Sequence, residues 1–149
     1  MEITPKPLAF EDITETEYFI CNTQGKLFLL AGEMGFDEDS FIKAYMESDF
    51  CRREMDALYS VFQMADPEDI MDYVLKEIHP EKNSRTYGPD RINWTGYMYR
   101  YLKLRLGISS AGIYRVIPLK DMLVYYVGMH TQDDEYFLDV IKDKCRGVR

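Results

Sequence analysis

The sequence has little of what small metal-binding or disulfide-bonded domains depend on. Its only cysteines, Cys21, Cys51 and Cys145, stand far apart and include no Cys-x-x-Cys pair. This spacing disfavours a structural zinc site and a disulfide framework, and it predicts reduced thiols in the cytoplasm. We therefore expect neither a metal nor another cofactor.

Long apolar runs and secretion signals are missing as well. The longest apolar stretches, such as residues 123–129, are far shorter than the roughly 20 residues that a membrane span requires. The first residues lack a basic start followed by an apolar run, which is the pattern of a secretory signal peptide. We expect a cytoplasmic protein that does not interact with a membrane.

Alternating and β-branched runs are absent, so no strand is predicted. Apolar residues recur at helical spacing instead. Asp66 and Pro67 form a strong helix start, and a further helix is predicted over residues 50–64, with Met55, Leu58, Tyr59 and Phe62 on one face. We predict an all-α fold in which residues 1–149 form a single compact helical domain.

A linker rich in proline and polar residues, residues 79–89, divides the chain into two segments, residues 16–78 and 90–145. Each segment has a long helix that stops at a glycine, then a capped short helix, then further helices. This common order predicts two related four-helix units, and hence an internal repeat.

The two segments also align residue by residue. An offset of 72 residues pairs seven positions, and an offset of 66 residues pairs five more near the end of each segment. The pairs at the first offset are Ile20 with Ile92, Thr23 with Thr95, Leu30 with Leu102, Met34 with Leu106, Gly35 with Gly107, Phe36 with Ile108, and Phe41 with Ile113. Those at the second are Ile70 with Tyr136, Met71 with Phe137, Val74 with Val140, Leu75 with Ile141, and Lys76 with Lys142.

The net charge of −8 is distributed unevenly. Residues 1–79 carry 18 acids and 6 bases, a net charge of −12, whereas residues 80–149 carry 8 acids and 12 bases, a net charge of +4. Either the two halves pack side by side and neutralise each other, or the acidic half attracts a basic partner.

The densest basic charge lies in residues 91–106, where basic and aromatic side chains interleave. Such a helix can contact a nucleic-acid backbone and stack on bases. The acidic pI and the mostly apolar segment 118–129, which would have to read the groove, disfavour nucleic acid. We place a candidate interaction surface on this helix, formed by Trp94, Tyr97, Arg100, Lys103 and Arg105.

His130, with Asp133 and Asp134, is a second candidate site. A histidine beside carboxylates can act as a base or bind a metal. No serine or cysteine nucleophile stands nearby in a recognisable motif, so no catalytic residue is assigned. The alternative is a helix start in which Thr131 and Asp134 form a capping box.

The second segment has a tyrosine-rich helix, a Gly-Ile-Ser-Ser turn at residues 107–110, and His130-Thr131-Gln132 before an acidic helix start. In these features it resembles a family of small, uncharacterised, all-helical bacterial proteins. Asp133 replaces the glycine that the family carries next, and the first segment lacks the His-Thr-Gln motif. The resemblance implies an accessory or toxin–antitoxin-like role, without catalytic residues.

These observations predict a protein that is not an enzyme but a protein-binding module, which binds another bacterial protein or a second copy of itself. The acidic half is the expected docking face for a basic partner. One alternative is a nucleic-acid-associated protein that uses residues 91–106. A second alternative is a small enzyme or metal protein centred on His130.

Overall fold

The computed structural model describes residues 6–83 and 85–149. Within these ranges the chain is all-α, and its only β pairing is one isolated antiparallel bridge between Phe36 and Lys82. The predicted all-α class is therefore confirmed. None of the helices in these ranges has the combination of length and hydropathy that a membrane crossing would need.

The described residues form α-helices connected by shorter 3-10 and π turns. The α-helices are α1 (Glu15–Glu33), α2 (Glu38–Met46), α3 (Pro67–Val74), α4 (Pro89–Leu106), α5 (Ser110–Val116), α6 (Leu119–Met129) and α7 (Asp134–Ile141). The shorter elements are the 3-10 helices Phe10–Asp12, Val61–Met64 and Lys142–Cys145, and the π-helix Cys51–Met55.

The two long helices end in the same way. Gly35 after α1 and Gly107 after α4 have positive φ angles of 86° and 66°, a conformation that favours glycine over residues with a side chain. The next helix starts at once, because the side chain of Asp37 accepts a hydrogen bond from the Ser40 N–H and that of Ser109 accepts one from the Gly112 N–H.

Helices α1 and α4 form the most extensive helix pair of the described fold, and they approach closely at two glycines. A Cβ atom added to Gly96 would lie 2.7 Å from the Gln24 carbonyl oxygen and 2.8 Å from the Gly25 Cα atom. One added to Gly25 would lie 2.7 Å from the Asn93 carbonyl oxygen. The backbones therefore pack at a distance that leaves no room for a larger residue at either position.

A continuous hydrophobic core draws on both sides of the linker. Phe28, Phe41 and Tyr45 pack with ring centroids 5.7 to 6.2 Å apart in the first segment. The second segment adds Leu102, Ile113 and other fully buried side chains. Burying such large apolar side chains is the main source of stability for a helical chain of this length.

The linker is fixed against the start of α2. The Asp37 N–H donates to the Glu81 carbonyl at 2.8 Å, and the Asn83 N–H donates to the Gly35 carbonyl at 2.9 Å. The buried carboxylate of Glu38 accepts from the Tyr87 N–H at 2.8 Å. The segment between the two helical halves thus has defined hydrogen-bond partners.

The predicted helix over residues 50–64 is wrong. The chain forms the π-helix Cys51–Met55, bends, and then forms the 3-10 helix Val61–Met64. Met55 is buried and Phe62 packs against the core, but Leu58 and Tyr59 are exposed instead of sharing that inward face. The wider π turn shifts every later side chain away from the face that a regular α-helix would give it.

Helix α7 also differs in detail from the sequence prediction. Phe137 and Ile141 are buried as expected, whereas Tyr136 and Val140 are exposed. The helix is capped by Asp133, whose side chain accepts from the Tyr136 N–H at 2.9 Å, and not by the Thr131 capping box.

The close crossing of α1 and α4 makes a prediction about glycine. We expect Gly96→Ala to lower the free energy of unfolding by about 3 kcal/mol, the upper end of overpacking costs, because the new methyl group meets backbone that cannot rotate away. The matched control is Gly128→Ala in α6, where a Cβ would meet nothing within 4 Å. That change should stabilise the helix by roughly 0.5–1 kcal/mol.

Urea unfolding of both variants followed by circular dichroism measures the two effects. Equal urea midpoints for Gly96→Ala and the wild-type protein would show that α1 and α4 do not require such close backbone packing at Gly96.

Candidate functional site

The residues of the interaction surface predicted on α4 lie largely in the interior of the fold. Arg100 is 1% exposed and Lys103 is 4% exposed, so these two residues do not form part of an exposed interaction surface. Both face the first half of the chain, because α4 packs along α1 with these two side chains turned inward. Their charge suggested solvent exposure from the sequence, and this interpretation was wrong.

The other three predicted residues are partly buried and have partners. Trp94 packs against Tyr126 and Phe137, with centroids 5.7 and 5.4 Å apart. The Tyr97 hydroxyl donates to Asp134 at 2.7 Å. Arg105 forms an ion pair with Glu135 in α7 and donates to the Leu8 carbonyl at 2.6 Å, which ties the N-terminal segment to α4. All of these contacts lie within the fold.

The His130 candidate residues point to different partners. The exposed His130 ring stacks on Tyr126 at 4.0 Å, and its Nδ1 atom lies 2.6 Å from the Tyr126 carbonyl oxygen. Asp133 caps α7, and the Asp134 carboxylate bonds to Tyr97. Burial raises the pKa of Asp134. Residues 6–83 and 85–149 contain no group of three or more His, Cys, Asp or Glu side chains placed to hold a metal ion.

Arg100 is the centre of a buried polar network that joins both halves of the chain. Its guanidinium pairs with Asp56 at 2.7 Å and donates to the Gln24 side-chain oxygen at 2.8 Å and the Ser110 hydroxyl at 3.2 Å. The Asp56 carboxylate also accepts from the Ser110 backbone N–H at 2.8 Å. Burial alone would lower the pKa of Arg100, but Asp56 raises it above its ordinary value, so the guanidinium stays charged.

Arg100 and Lys103 both bind the C-terminal end of the π-helix. The last carbonyls of a helix have no partner within it and carry partial negative charge. Arg100 donates to the Met55 carbonyl at 3.1 Å, and Lys103 donates to the Asp56 carbonyl at 3.0 Å. The buried Gln63 side chain lies across the same turn and donates to the Ala57 carbonyl at 2.7 Å. Two buried cations and one amide therefore terminate this helix.

The segment after this turn is ordered but presents apolar side chains to solvent. We call residues 57–64 the apolar loop. Its inward side chain, Phe62, packs on Phe50 and Tyr73 with centroids 5.0 and 4.6 Å away. The Ser60 hydroxyl donates to Glu54 at 2.8 Å. Its outward side chains are large and accessible. They are Leu58 (48% exposed), Tyr59 (86%), Val61 (83%) and Met64 (55%).

An open cleft of about 600 Å³ lies between the apolar loop and the start of α1. It is lined by Thr16, Glu54 and the outward side chains Tyr59, Val61 and Met64. The volume falls within the range of small-molecule and side-chain pockets. Exposed apolar side chains beside an open cleft make this segment a candidate surface for binding another molecule.

Sequence reasoning missed the apolar loop because the residues around it satisfy a helical pattern. The available signal was the run from Leu58 to Phe62, which is rich in aromatic and branched residues and has no charge. The sequence signal for the burial of Arg100 and Lys103 was weaker, because that burial depends on partners 44 to 47 residues away in the chain.

The Arg100 network makes a prediction about stability. We expect Arg100→Met to lower the free energy of unfolding by about 3–5 kcal/mol, because it leaves the buried Asp56 carboxylate without its cation. Arg91→Met, which changes an exposed arginine on the same helix, should alter it by less than about 1 kcal/mol.

Adding Asp56→Asn to Arg100→Met should cost less than the sum of the two single changes, because the partners are then removed together. Chemical denaturation of the wild-type protein, the two single variants and the double variant measures the coupling. Strict additivity would contradict a direct ion pair.

Lys103 makes a prediction about pH. Burial, together with the nearby Arg100 charge, lowers the pKa of Lys103 to about 8. The unfolded chain therefore holds one more proton than the folded protein between about pH 8 and the ordinary lysine pKa near 10.4. As the pH rises through this window, the titration of Lys103 therefore increases the free energy of unfolding by about 3 kcal/mol. This gain in stability is absent below about pH 8.

We expect the difference in unfolding free energy between the wild-type protein and Lys103→Met to increase by that amount between about pH 7 and pH 10. Using the difference cancels the titration of tyrosines and cysteines, which both proteins share. A difference that does not vary with pH would contradict the assignment.

The residues described so far bring together a buried ion-pair network and an exposed apolar loop, but not a nucleophile with a base. The arrangement can anchor a backbone segment and present apolar side chains to another molecule. Comparison with known protein families, with curated proteins and with solved structures finds no match to this chain.

Proposed function

We propose that this chain is a non-catalytic protein-binding module and that its docking element is the apolar loop. The single observation that carries this proposal is the exposure of Tyr59 and Val61, at 86% and 83%, within a segment whose backbone is fixed by buried groups. Aromatic residues and methionine are enriched in the cores of protein interfaces. An ordered loop also binds at a lower entropic cost than a flexible one.

The alternatives find less support in the same structure. A nucleic-acid role would use Arg100, Lys103 and Arg105, but two of these are buried and the third pairs with Glu135. An enzyme or metal role would use His130, whose ring stacks on Tyr126 and whose acidic neighbours have other partners.

The biological setting that we propose follows the resemblance noted above. The chain would act in the bacterial cytoplasm as an accessory or antitoxin-like partner of another protein. Its three free, buried cysteines are in keeping with a reducing compartment.

We further propose that the fold arose from an internal duplication into two four-helix units. An offset of 72 residues relates the positive-φ glycines Gly35 and Gly107, and it also relates the N-cap residues Asp37 and Ser109. Helices α1 and α4, which precede them, have 19 and 18 residues.

The later helices support the duplication at an offset of 67 residues, one more than the sequence alignment used. This offset pairs the N-cap residues of α3 and α7, and it pairs buried positions with buried positions. The pairs are Asp66 with Asp133, Ile70 with Phe137, Met71 with Leu138, and Val74 with Ile141. The offset of 66 residues would pair the buried Ile70 with the exposed Tyr136.

Photo-crosslinking in the source cells tests the protein-binding proposal. A crosslinking amino acid at position 61 should capture one protein in near-stoichiometric amount, and Tyr59→Ser should reduce that yield at least about tenfold because it removes an interface anchor. The matched control is position 124 in α6, where Val124 is comparably exposed at 74%. No stoichiometric product at position 61, or equal products at both positions, would contradict the proposal.

A further inference from the structure

The apolar loop lies in an acidic part of the chain. Two segments, residues 7–25 and residues 54–75, supply the cleft and the helices next to it. The first carries four acids and the second carries six, and neither contains a lysine or an arginine. Asp56 is neutralised internally by Arg100, whereas Glu15, Glu68 and other acids of these segments are exposed.

These two segments are neighbours in the fold. Helix α1 packs against α3 and against the 3-10 helix Val61–Met64. Thr16, next to Glu15, and Glu54 both line the cleft together with the apolar loop. The apolar side chains are therefore bordered by Glu54, and the first turn of α1, which begins with the exposed Glu15, lies next to them. Glu54 forms a long ion pair with the neighbouring Arg53, at 4.0 Å.

The backbone of this region limits how a partner can bind. The described residues contain no strand and hence no open sheet edge to which an extended peptide could add. The carbonyls of the turn at residues 54–57 already accept hydrogen bonds from Gln63, Arg100 and Lys103. Side-chain contacts must therefore provide the binding, as when an amphipathic helix lays its apolar face in a groove.

Taking charge and backbone together, we propose that the occupant of this cleft is a basic amphipathic helix of a partner protein. Its apolar face contacts Tyr59, Val61 and Met64, and flanking lysine or arginine side chains face the carboxylates of Glu15 and Glu54. This inference rests on the proposed function and specifies the partner class. Charge complementarity of this kind speeds association and rejects acidic competitors.

Synthetic peptides test the partner class directly. The probe is an amphipathic helix of about four turns with a leucine face and lysines on both flanks. One control peptide carries glutamates in place of the lysines, and another has the probe's composition scrambled so that no apolar face forms. Fluorescence anisotropy with the full-length protein, at low and at physiological ionic strength, measures each Kd.

We expect the lysine probe to bind, and both control peptides to bind at least about tenfold more weakly. The double variant Tyr59→Ser/Val61→Ser should raise the Kd of the probe at least about tenfold. The matched variant Val124→Ser/Val127→Ser, which changes two exposed valines of α6, should leave the Kd unchanged.

Charge is tested at two positions beside the cleft. Glu15→Gln/Glu54→Gln should weaken probe binding several-fold and flatten its dependence on salt. The amide introduced by Glu54→Gln can still accept a hydrogen bond from the Ser60 hydroxyl, so the loop keeps this contact. The control Glu33→Gln/Glu81→Gln removes the same charge at exposed positions outside residues 7–25 and 54–75 and should have less effect.

Three outcomes would overturn the inference. They are glutamate or scrambled peptides that bind as tightly as the probe, an unchanged Kd in Tyr59→Ser/Val61→Ser, and sedimentation data in which this variant converts a wild-type dimer into monomers. The last result would identify the occupant as a second copy of this chain. Because the crosslinking experiment does not depend on peptide charge, a captured partner with no lysine preference would overturn only the partner class.

Discussion

The close approach of α1 and α4 is the constraint on which the other features depend. Gly25 and Gly96 allow the two backbones to touch, and this places the Gln24 side chain between the helices. Its amide group donates to the Gly96 carbonyl at 2.8 Å, and its oxygen accepts from Tyr45 and Arg100. A wider crossing would leave the Arg100 guanidinium without this acceptor, and a buried cation needs every partner that it can reach.

The buried cations connect the architecture to the candidate surface. A salt bridge in the interior is weak evidence for stability by itself, because removing two charges from water costs about as much as their attraction returns. Here Arg100 and Lys103 also bind the Met55 and Asp56 carbonyls, so their charge holds an irregular turn in place. The exposed side chains of the apolar loop are consequences of that turn, which is why we propose that partner binding uses the loop and not the basic helix.

The sequence predicted the structure correctly where residues within one helical turn determine it. The glycine stops at Gly35 and Gly107 and the helix start at Asp66 and Pro67 depend on residues within one helical turn, and they were predicted correctly. The π turn and the inward direction of Arg100 depend on partners far along the chain, and no local pattern encodes them. A helical period and a positive charge therefore gave the wrong interpretation at the candidate site, while the predicted fold class was right.

The distance in sequence between the loop and its anchors has a consequence for folding kinetics. The hydrogen bonds from Arg100 and Lys103 to the turn span 45 and 47 residues. During synthesis the apolar loop leaves the ribosome well before α4, so its aromatic and aliphatic residues emerge before the groups that order them. Contacts of such separation form late and slow the folding of a domain. The apolar loop thus gains the cations that hold its turn only after α4 has been synthesised.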